Sequence, residues 1–188
     1  MRAALLAGAV LLLAACAGGR ALSLTPDEMR QLQSPGLRVN AIVDEAAPIV
    51  VDLLTATEAE VLASGRALDA DELALARSLG VAAPEKVRIE VREAFPMPSD
   101  QRLVQAARDY GLIFGSPEEA GRTQGHAILV KPAFASSRAT LAHELVHVAQ
   151  FERMGGITPY AREYLIELLV VGYQRAPLEQ EASTRQGG

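Results

Sequence analysis

Two of the three histidines in this 188-residue chain lie four positions apart in the stretch LAHELVHVAQ, residues 141–150. Residues four apart on a helix project from the same face, so the rings of His143 and His147 can converge on one metal ion. Glu144 is rotated about a quarter turn from the first histidine and can reach a water molecule beside the metal. The spacing H-E-x-x-H is typical of a zinc site in which the glutamate accepts a proton from water.

A catalytic zinc site requires a third protein ligand, which the histidine pair does not supply. His126 is the only other histidine and it precedes the motif, so the third ligand is expected to be a carboxylate. The acids downstream are Glu152, Glu163, Glu167, Glu179 and Glu181. Glu152 lies on the motif helix itself and points away from the histidines. Spacing alone does not decide which of the other four acids is the third ligand.

The alternative interpretation of the motif is an exposed polar stripe on an ordinary helix. The remaining residues of the stretch argue against it, because Leu141, Ala142, Leu145, Val146, Val148 and Ala149 are all apolar. Two imidazoles and an acid buried among such residues without a ligand would cost considerable free energy. We therefore favour the metal site.

The elements that must position these residues are predicted from capping and periodicity. Helices are predicted to begin after Thr25 and Asp69, and a long helix spans residues 39–64. Its expected buried stripe is Ile42, Ala46, Ile49, Leu53, Ala56, Glu60 and Ala63. Strands are predicted at residues 86–93 and 125–132, followed by the motif helix, a helix from Thr158 and a last helix after Pro177. This order predicts an α+β fold, mostly helical, with a small mixed sheet before the two zinc-site helices.

The motif and the downstream segment resemble the gluzincin group of zinc metallopeptidases. The shared features are HELVH, a helix and turn after it, and an E-x-x-A segment at Glu179 to Ala182. The resemblance is closest to the minimal forms, covers roughly residues 86–182, and leaves residues 22–84 without a parallel. It implies a zincin-like pair of zinc-binding helices. Ser183 stands where longer forms of the segment have an aspartate, so that partner is missing or replaced.

The resemblance implies a ligand set and a mode of substrate binding. It implies that His143, His147 and Glu179 hold Zn²⁺, with Glu167 ranked second and Glu181 third for the carboxylate position. It implies that Glu144 is the catalytic base. In gluzincins an edge strand before the zinc helix pairs with an extended peptide, and GHAILV at residues 125–130 occupies that place. An ordinary strand of the sheet is the alternative, and the sequence does not separate the two. Donors for an oxyanion could come from His126, from Tyr160, Tyr164 or Tyr173, or from Arg162 or Arg175.

The N-terminus is typical of an export signal. Arg2 precedes an apolar run at residues 3–15, which is too short to span a bilayer comfortably. The segment ending in Cys16 resembles the lipobox of bacterial lipoproteins, whose cysteine is diacylated. An ordinary signal peptide with an unrelated cysteine is the alternative. Cys16 is the sole cysteine, so no internal disulfide forms, and two acyl chains would anchor the protein stably to a membrane.

These observations predict a domain organisation and a function. We expect a lipoprotein signal peptide at residues 1–15, a tether at 16–35, an N-terminal helical segment at 36–85 and a metallopeptidase core at 86–188. The expected function is a zinc-dependent, lipid-anchored metallopeptidase of the bacterial cell envelope, which faces the periplasm and acts on a peptide or protein substrate. A net charge of −5 without a basic block excludes an electrostatic nucleic-acid binder. The alternatives are a non-catalytic, zinc-stabilised envelope lipoprotein that binds a protein partner, and a hydrolase of other amides.

Overall fold

The computed structural model describes residues 23–109 and 119–187, and over these residues the chain forms seven α-helices and four short strands. The helices are α1 (Pro26–Gln33), α2 (Leu37–Ser64), α3 (Ala70–Ser78), α4 (Gln101–Asp109), α5 (Arg138–Met154), α6 (Ile157–Val171) and α7 (Pro177–Arg185). The predicted α+β class, mostly helical with a small mixed sheet, is confirmed. The predicted signal peptide and Cys16 lie outside the described residues.

Local capping sets several of these boundaries, and the two at Thr25 and Asp69 are where the sequence predicted them. Thr25 and Asp69 each form a capping box with the glutamate three residues later, at the starts of α1 and α3. Ser137 caps α5 by accepting from the backbone N–H of Thr140. The left-handed backbone of Gly155, with φ of 88°, ends α5.

The sheet has four strands in the order β1-β2-β4-β3. The two predicted strands, β2 (Arg88–Val91) and β4 (Ala127–Val130), run parallel at its centre. The outer strands, β1 (Arg66–Ala67) and β3 (Gly121–Gln124), pair antiparallel with their neighbours. Neither was predicted, because β1 has only two residues and the sequence GRTQ of β3 lacks apolar alternation.

The expectation that residues 125–130 form a substrate-binding sheet edge is wrong. β4 lies between β2 and β3, and all four of its residues are buried. The reason is the tight turn at Gly125, whose φ of 67° lets β3 fold back along the outer side of β4. Within the described ranges β3 pairs with β4 alone, so β3 is the sheet edge that lies against α5.

Helix α2 confirms the predicted long helix, but its buried stripe is displaced by one position. The buried residues are Val43, Ala46, Ala47, Leu54, Thr57 and Val61. Three members of the predicted stripe, Ala56, Glu60 and Ala63, are exposed. The two adjacent stripes have the same spacing and start with similar residues, so periodicity did not fix the rotation of the helix. Contact of α2 with α6 and with the sheet fixes it instead.

The core lies between the sheet and α5, and it orients the motif helix. Leu145, Val146 and Val148 are fully buried and belong to the same cluster as Ile128 and Val130 of β4. The other side of α5 packs on α6 and α7. Among residues 23–109 and 119–187, no helix combines the length and hydrophobicity that crossing a bilayer requires.

The segment predicted as a tether contains helix α1. Its Glu28 carboxylate accepts from both terminal nitrogens of Arg175, at 2.5 and 2.7 Å, in the turn after α6. Hydrogen bonds from Arg175, and next from the backbone N–H of Thr25, lower the pKa of Glu28 to about 2. This ion pair joins the start of the described chain to the helices that carry the candidate site.

Candidate metal centre

The two histidines of the motif face each other on α5, as their spacing requires. The Nε2 atoms of His143 and His147 are 3.1 Å apart, and their rings meet edge to face. His147 is buried, whereas the side chain of His143 is 17% exposed and faces a cavity. The pair therefore presents two ring nitrogens to one point that a small ligand could reach.

Glu179 brings a carboxylate to the same point from α7. Its Oε2 lies 3.4 Å from Nε2 of His143, and its Oε1 lies 3.4 Å from Nε2 of His147. Among the described residues, these three form a group whose ligand atoms all lie within 4.8 Å of one another, and which could hold a metal ion. The structure thus brings together the three residues that the sequence and the resemblance pointed to.

The other acids that the sequence left open lie elsewhere. Glu167 is buried on α6, where its Oε2 accepts from the backbone N–H of Leu178 at 2.9 Å. It caps α7, whose own N-cap residue, Ala176, supplies no side-chain bond, and so it fixes the helix that carries Glu179. Burial raises the pKa of Glu167 to about 8, against the lowering effect of the Leu178 N–H.

Glu181 and Glu152 are also engaged in hydrogen bonds and ion pairs elsewhere. Glu181 accepts from Gln150 and pairs with Arg153 and Arg185. Glu152 accepts from the backbone N–H of Ala82 and Ala83, at 2.5 and 3.0 Å, which confirms that it points away from the histidine pair. Neither acid belongs to the candidate metal group within the part of the chain that the structure describes.

The metal-site residues form a charged network in the protein interior. Burial alone would lower the pKa of His147, but the Glu179 carboxylate outweighs it and raises that pKa to about 9. Burial would raise the pKa of Glu179, but the two histidines hold it well below its ordinary value. The acid is therefore ionised and His147 is protonated near neutral pH when no metal is bound.

A buried glutamine fixes the orientation of the His147 ring. The Nδ1 of His147 donates to Oε1 of Gln150 at 2.8 Å, one turn along α5. The amide nitrogen of Gln150 in turn donates to the carbonyl oxygen of Leu178 at 2.9 Å and to Glu181 at 3.1 Å. This chain links His147 to the helix that carries Glu179. Sequence reasoning missed Gln150, although its position three residues after His147 places it on the same side of the helix.

We expect Gln150→Leu to weaken metal affinity by about 10- to 100-fold, because His147 loses the nearer partner of its outer nitrogen. The matched control is Gln124→Leu. Gln124 is also fully buried, and its amide has no hydrogen-bond partner within the described ranges. Zinc titration against a chelator of known affinity measures the effect, and thermal unfolding checks the fold. Equal zinc affinity in the two variants would show that Gln150 only fills space.

Glu144 lies beside the histidine pair and is held by strand β3. Its Oε2 lies 2.7 Å from the hydroxyl oxygen of Thr123, which also lies 2.9 Å from the Glu144 carbonyl oxygen. Its Oε1 lies against Gly121, where an added Cβ would stand only 2.7 Å away. Gly121 and Thr123 are two positions apart on β3, so both lie on the same face of the strand. Sequence reasoning missed both residues because it did not identify the strand.

Gly121→Ala should push the Glu144 carboxylate out of place. A Cβ closer than 3.0 Å forces something to move. For the catalytic base that the sequence predicts at Glu144, a displacement of about 1 Å should cost on the order of 100-fold in rate. The control is Gly36→Ala at the start of α2, where a Cβ meets nothing within 4 Å. The measurement is kcat for peptide cleavage with bound zinc quantified in parallel. Unchanged kcat in the Gly121 variant would contradict a precise role for Glu144.

Three tyrosines surround the candidate metal group. The hydroxyl of Tyr164 donates to Oε1 of Glu179 at 2.7 Å, and the hydroxyl of Tyr160 lies 3.3 Å from Nδ1 of His147. Tyr173 lines the same cavity. Burial, followed by the nearby Glu179 charge, raises the pKa of each phenol, so all three remain protonated donors.

The remaining oxyanion candidates lie away from the cavity. Arg162 pairs with Asp44 at 2.7 Å, and Arg175 pairs with Glu28. His126 lies in the turn between β3 and β4, where its Nε2 is 2.9 Å from Glu152. Hydrogen bonding to Glu58, and then to Glu152, raises the pKa of His126. None of these side chains lines the cavity beside the metal group.

Comparison of the chain with protein-family models, with curated proteins and with solved structures found no match. The function of the chain is therefore inferred from the geometry and chemistry of the site.

Proposed function

We propose that the chain is a zinc-dependent metallopeptidase. The observation that supports it is the convergence of His143, His147 and Glu179 beside Glu144. A tetrahedral zinc ion with bonds of about 2.0–2.1 Å separates its ligand atoms by about 3.3–3.4 Å. The two histidine nitrogens are 3.1 Å apart, and each lies 3.4 Å from a different oxygen of Glu179. One ligand atom from each residue lies within 4.8 Å of the other two, which is close enough for one such ion to be held between them. Two imidazoles and one carboxylate are also the ligand set of several catalytic zinc sites.

The proposed chemistry divides between the metal and the protein. Zinc, when bound, polarises a carbonyl group and makes water more acidic. Glu144 accepts a proton from the water molecule that attacks the peptide carbonyl, and later transfers it to the amine that leaves. Thr123 and Gly121 hold the Glu144 carboxylate in position for both transfers. The amide and the water are thereby converted into a carboxylic acid and an amine.

The sheet edge at β3 supplies a place for an extended substrate. Gly121, Arg122 and Thr123 of this strand line the cavity that contains the histidine pair. A peptide could add to the strand through backbone hydrogen bonds, as extended peptides do at other sheet edges. This mode replaces the expectation for residues 125–130, whose strand is internal.

The proposed location of the enzyme is the bacterial cell envelope, facing the periplasm. Residues 1–15 have the composition of an export signal, and the sequence ending in Cys16 resembles a lipobox. A diacylated Cys16 would anchor the chain to a membrane, and its substrate would be a peptide or protein of the envelope.

The test measures metal content and cleavage on the same sample of the full-length chain in detergent. We expect about one zinc per chain, and cleavage of a mixed peptide library that stops when a chelator removes the metal. Mass spectrometry identifies the products. Stoichiometric zinc without any cleavage would favour a non-catalytic envelope lipoprotein that binds a partner. Cleavage of simpler amides but not of peptides would favour a different amide hydrolase.

A further inference from the structure

The cavity beside the metal group has a volume of about 150 Å³ and a mostly apolar wall. His143, Glu144 and Glu179 are among the residues that line it. The apolar wall comes from three helices: Val50 and Leu54 of α2, Leu103 and Val104 of α4, and Leu165 and Leu168 of α6. Residues 37–64, which form α2, lie outside the part of the chain that resembles gluzincins. The part of the wall that α2 supplies therefore has no parallel in that resemblance.

The size of the cavity limits what can enter it. Apolar protein cavities of about 150 Å³ bind molecules as large as benzene. One aliphatic or small aromatic side chain fits, whereas a longer segment of substrate does not. The cavity also adjoins Glu144, so a side chain held there belongs to a residue next to the bond that Glu144 serves.

The lining also selects by charge. An acidic side chain would meet the carboxylates of Glu144 and Glu179, which line the cavity. A basic side chain would lose its hydration against Val50 and Leu54, which is costly. The lining carboxylates already accept other hydrogen bonds, Glu144 from Thr123 and Glu179 from Tyr164. Glu119 does not offer a free carboxylate, because it pairs with the buried Arg122 at 2.6 Å. An uncharged apolar side chain is the occupant that meets neither cost.

We propose that this cavity is a specificity pocket for one uncharged aliphatic side chain beside the cleaved bond. The inference rests on the proposed peptidase function and names its substrate class: peptides with a residue such as leucine at that position. Helix α2 then builds part of the substrate site, through Val50 and Leu54. Leucine peptides should be bound and cleaved roughly 10- to 100-fold better than matched glycine peptides, the range that burial of one aliphatic side chain provides.

Binding is tested first on the metal-free full-length chain in detergent, so that it does not depend on catalysis. N-acetyl-leucinamide, N-acetyl-aspartamide and N-acetyl-lysinamide are titrated while the methyl NMR signals of Val50 and Leu54 are followed. We expect a saturable response to the leucine compound alone. Val50→Phe fills the cavity and should weaken that binding by at least about 10-fold. Leu62→Phe, at an exposed position of the same helix, should not. An equal response to all three compounds, or none, would overturn the pocket.

Cleavage of a peptide library by the zinc-loaded chain distinguishes failure of the specificity pocket from failure of the proposed peptidase function. A preference for leucine on one side of the cleaved bond supports the pocket, and its loss in Val50→Phe but not in Leu62→Phe strengthens the assignment. Cleavage without such a preference overturns the specificity pocket and leaves the peptidase intact. Leucinamide binding without cleavage of any peptide overturns the peptidase and leaves an apolar ligand site.

Discussion

Replacement of Glu144, the proposed catalytic base, by glutamine should strongly reduce the proposed peptide cleavage while leaving the metal in place. The amide has nearly the size of the carboxylate and can still accept a hydrogen bond from Thr123, so the local structure should persist. It cannot accept the proton of the attacking water. General-base catalysis contributes about 10²- to 10⁴-fold, and kcat should fall by that factor.

The Glu144→Gln measurement pairs kcat with zinc content, because only the combination is informative. Glu144 is not among the three candidate ligands, so the variant should still bind one zinc per chain. Glu45→Gln, an exposed position on α2, is the control for a general effect of removing one negative charge. A Glu144→Gln enzyme with near-normal kcat would remove the proposed base. A variant that loses zinc as well would show that Glu144 supports the metal.

The sequence located the histidine pair and its glutamate because helical geometry is local. Residues four apart on α5 share a face whatever the tertiary fold, and the Ser137 cap and Gly155 stop are equally local signals. The third ligand is different, because Glu179 lies on another helix, and spacing alone left it open against Glu163, Glu167 and Glu181. The resemblance to gluzincins ranked it first, and the structure places its carboxylate 3.4 Å from each histidine.

The features that the sequence missed depend on contacts between distant segments. Thr123 and Gly121 contact Glu144 only because β3 pairs with β4 and lies against α5, and the four residues of β3 carry no strand signal of their own. The wall formed by Val50 and Leu54 could not be predicted either, since α2 offers two stripes of similar hydrophobicity. Packing of α2 against α6 and the sheet selects one of them, and that selection depends on contacts between residues far apart in the sequence.

Loss of the Glu179 carboxylate should have the largest effect on the metal. We expect Glu179→Gln to weaken zinc binding by more than the roughly 10- to 100-fold that loss of a ligand's hydrogen-bond partner costs. Gln150→Leu provides that reference on the same protein. Glu181→Gln is the matched control on α7, because Glu181 lies outside the metal group and contacts Gln150 and two arginines. If zinc affinity fell equally in Glu179→Gln and Glu181→Gln, the assignment of Glu179 as the ligand would be wrong.

The pH dependence of zinc affinity gives a second, independent signature of Glu179. In the metal-free protein His147 is protonated below its pKa of about 9, and zinc must displace that proton. Affinity should therefore rise about tenfold per pH unit as pH increases from 7 and level off near pH 9. In Glu179→Gln the charge that raises the pKa of His147 is gone while burial still lowers it, so the weaker affinity should level off at a lower pH. Chelator competition across roughly pH 6 to 10 measures both curves. Two curves that level off at the same pH would show that Glu179 does not control the protonation of His147.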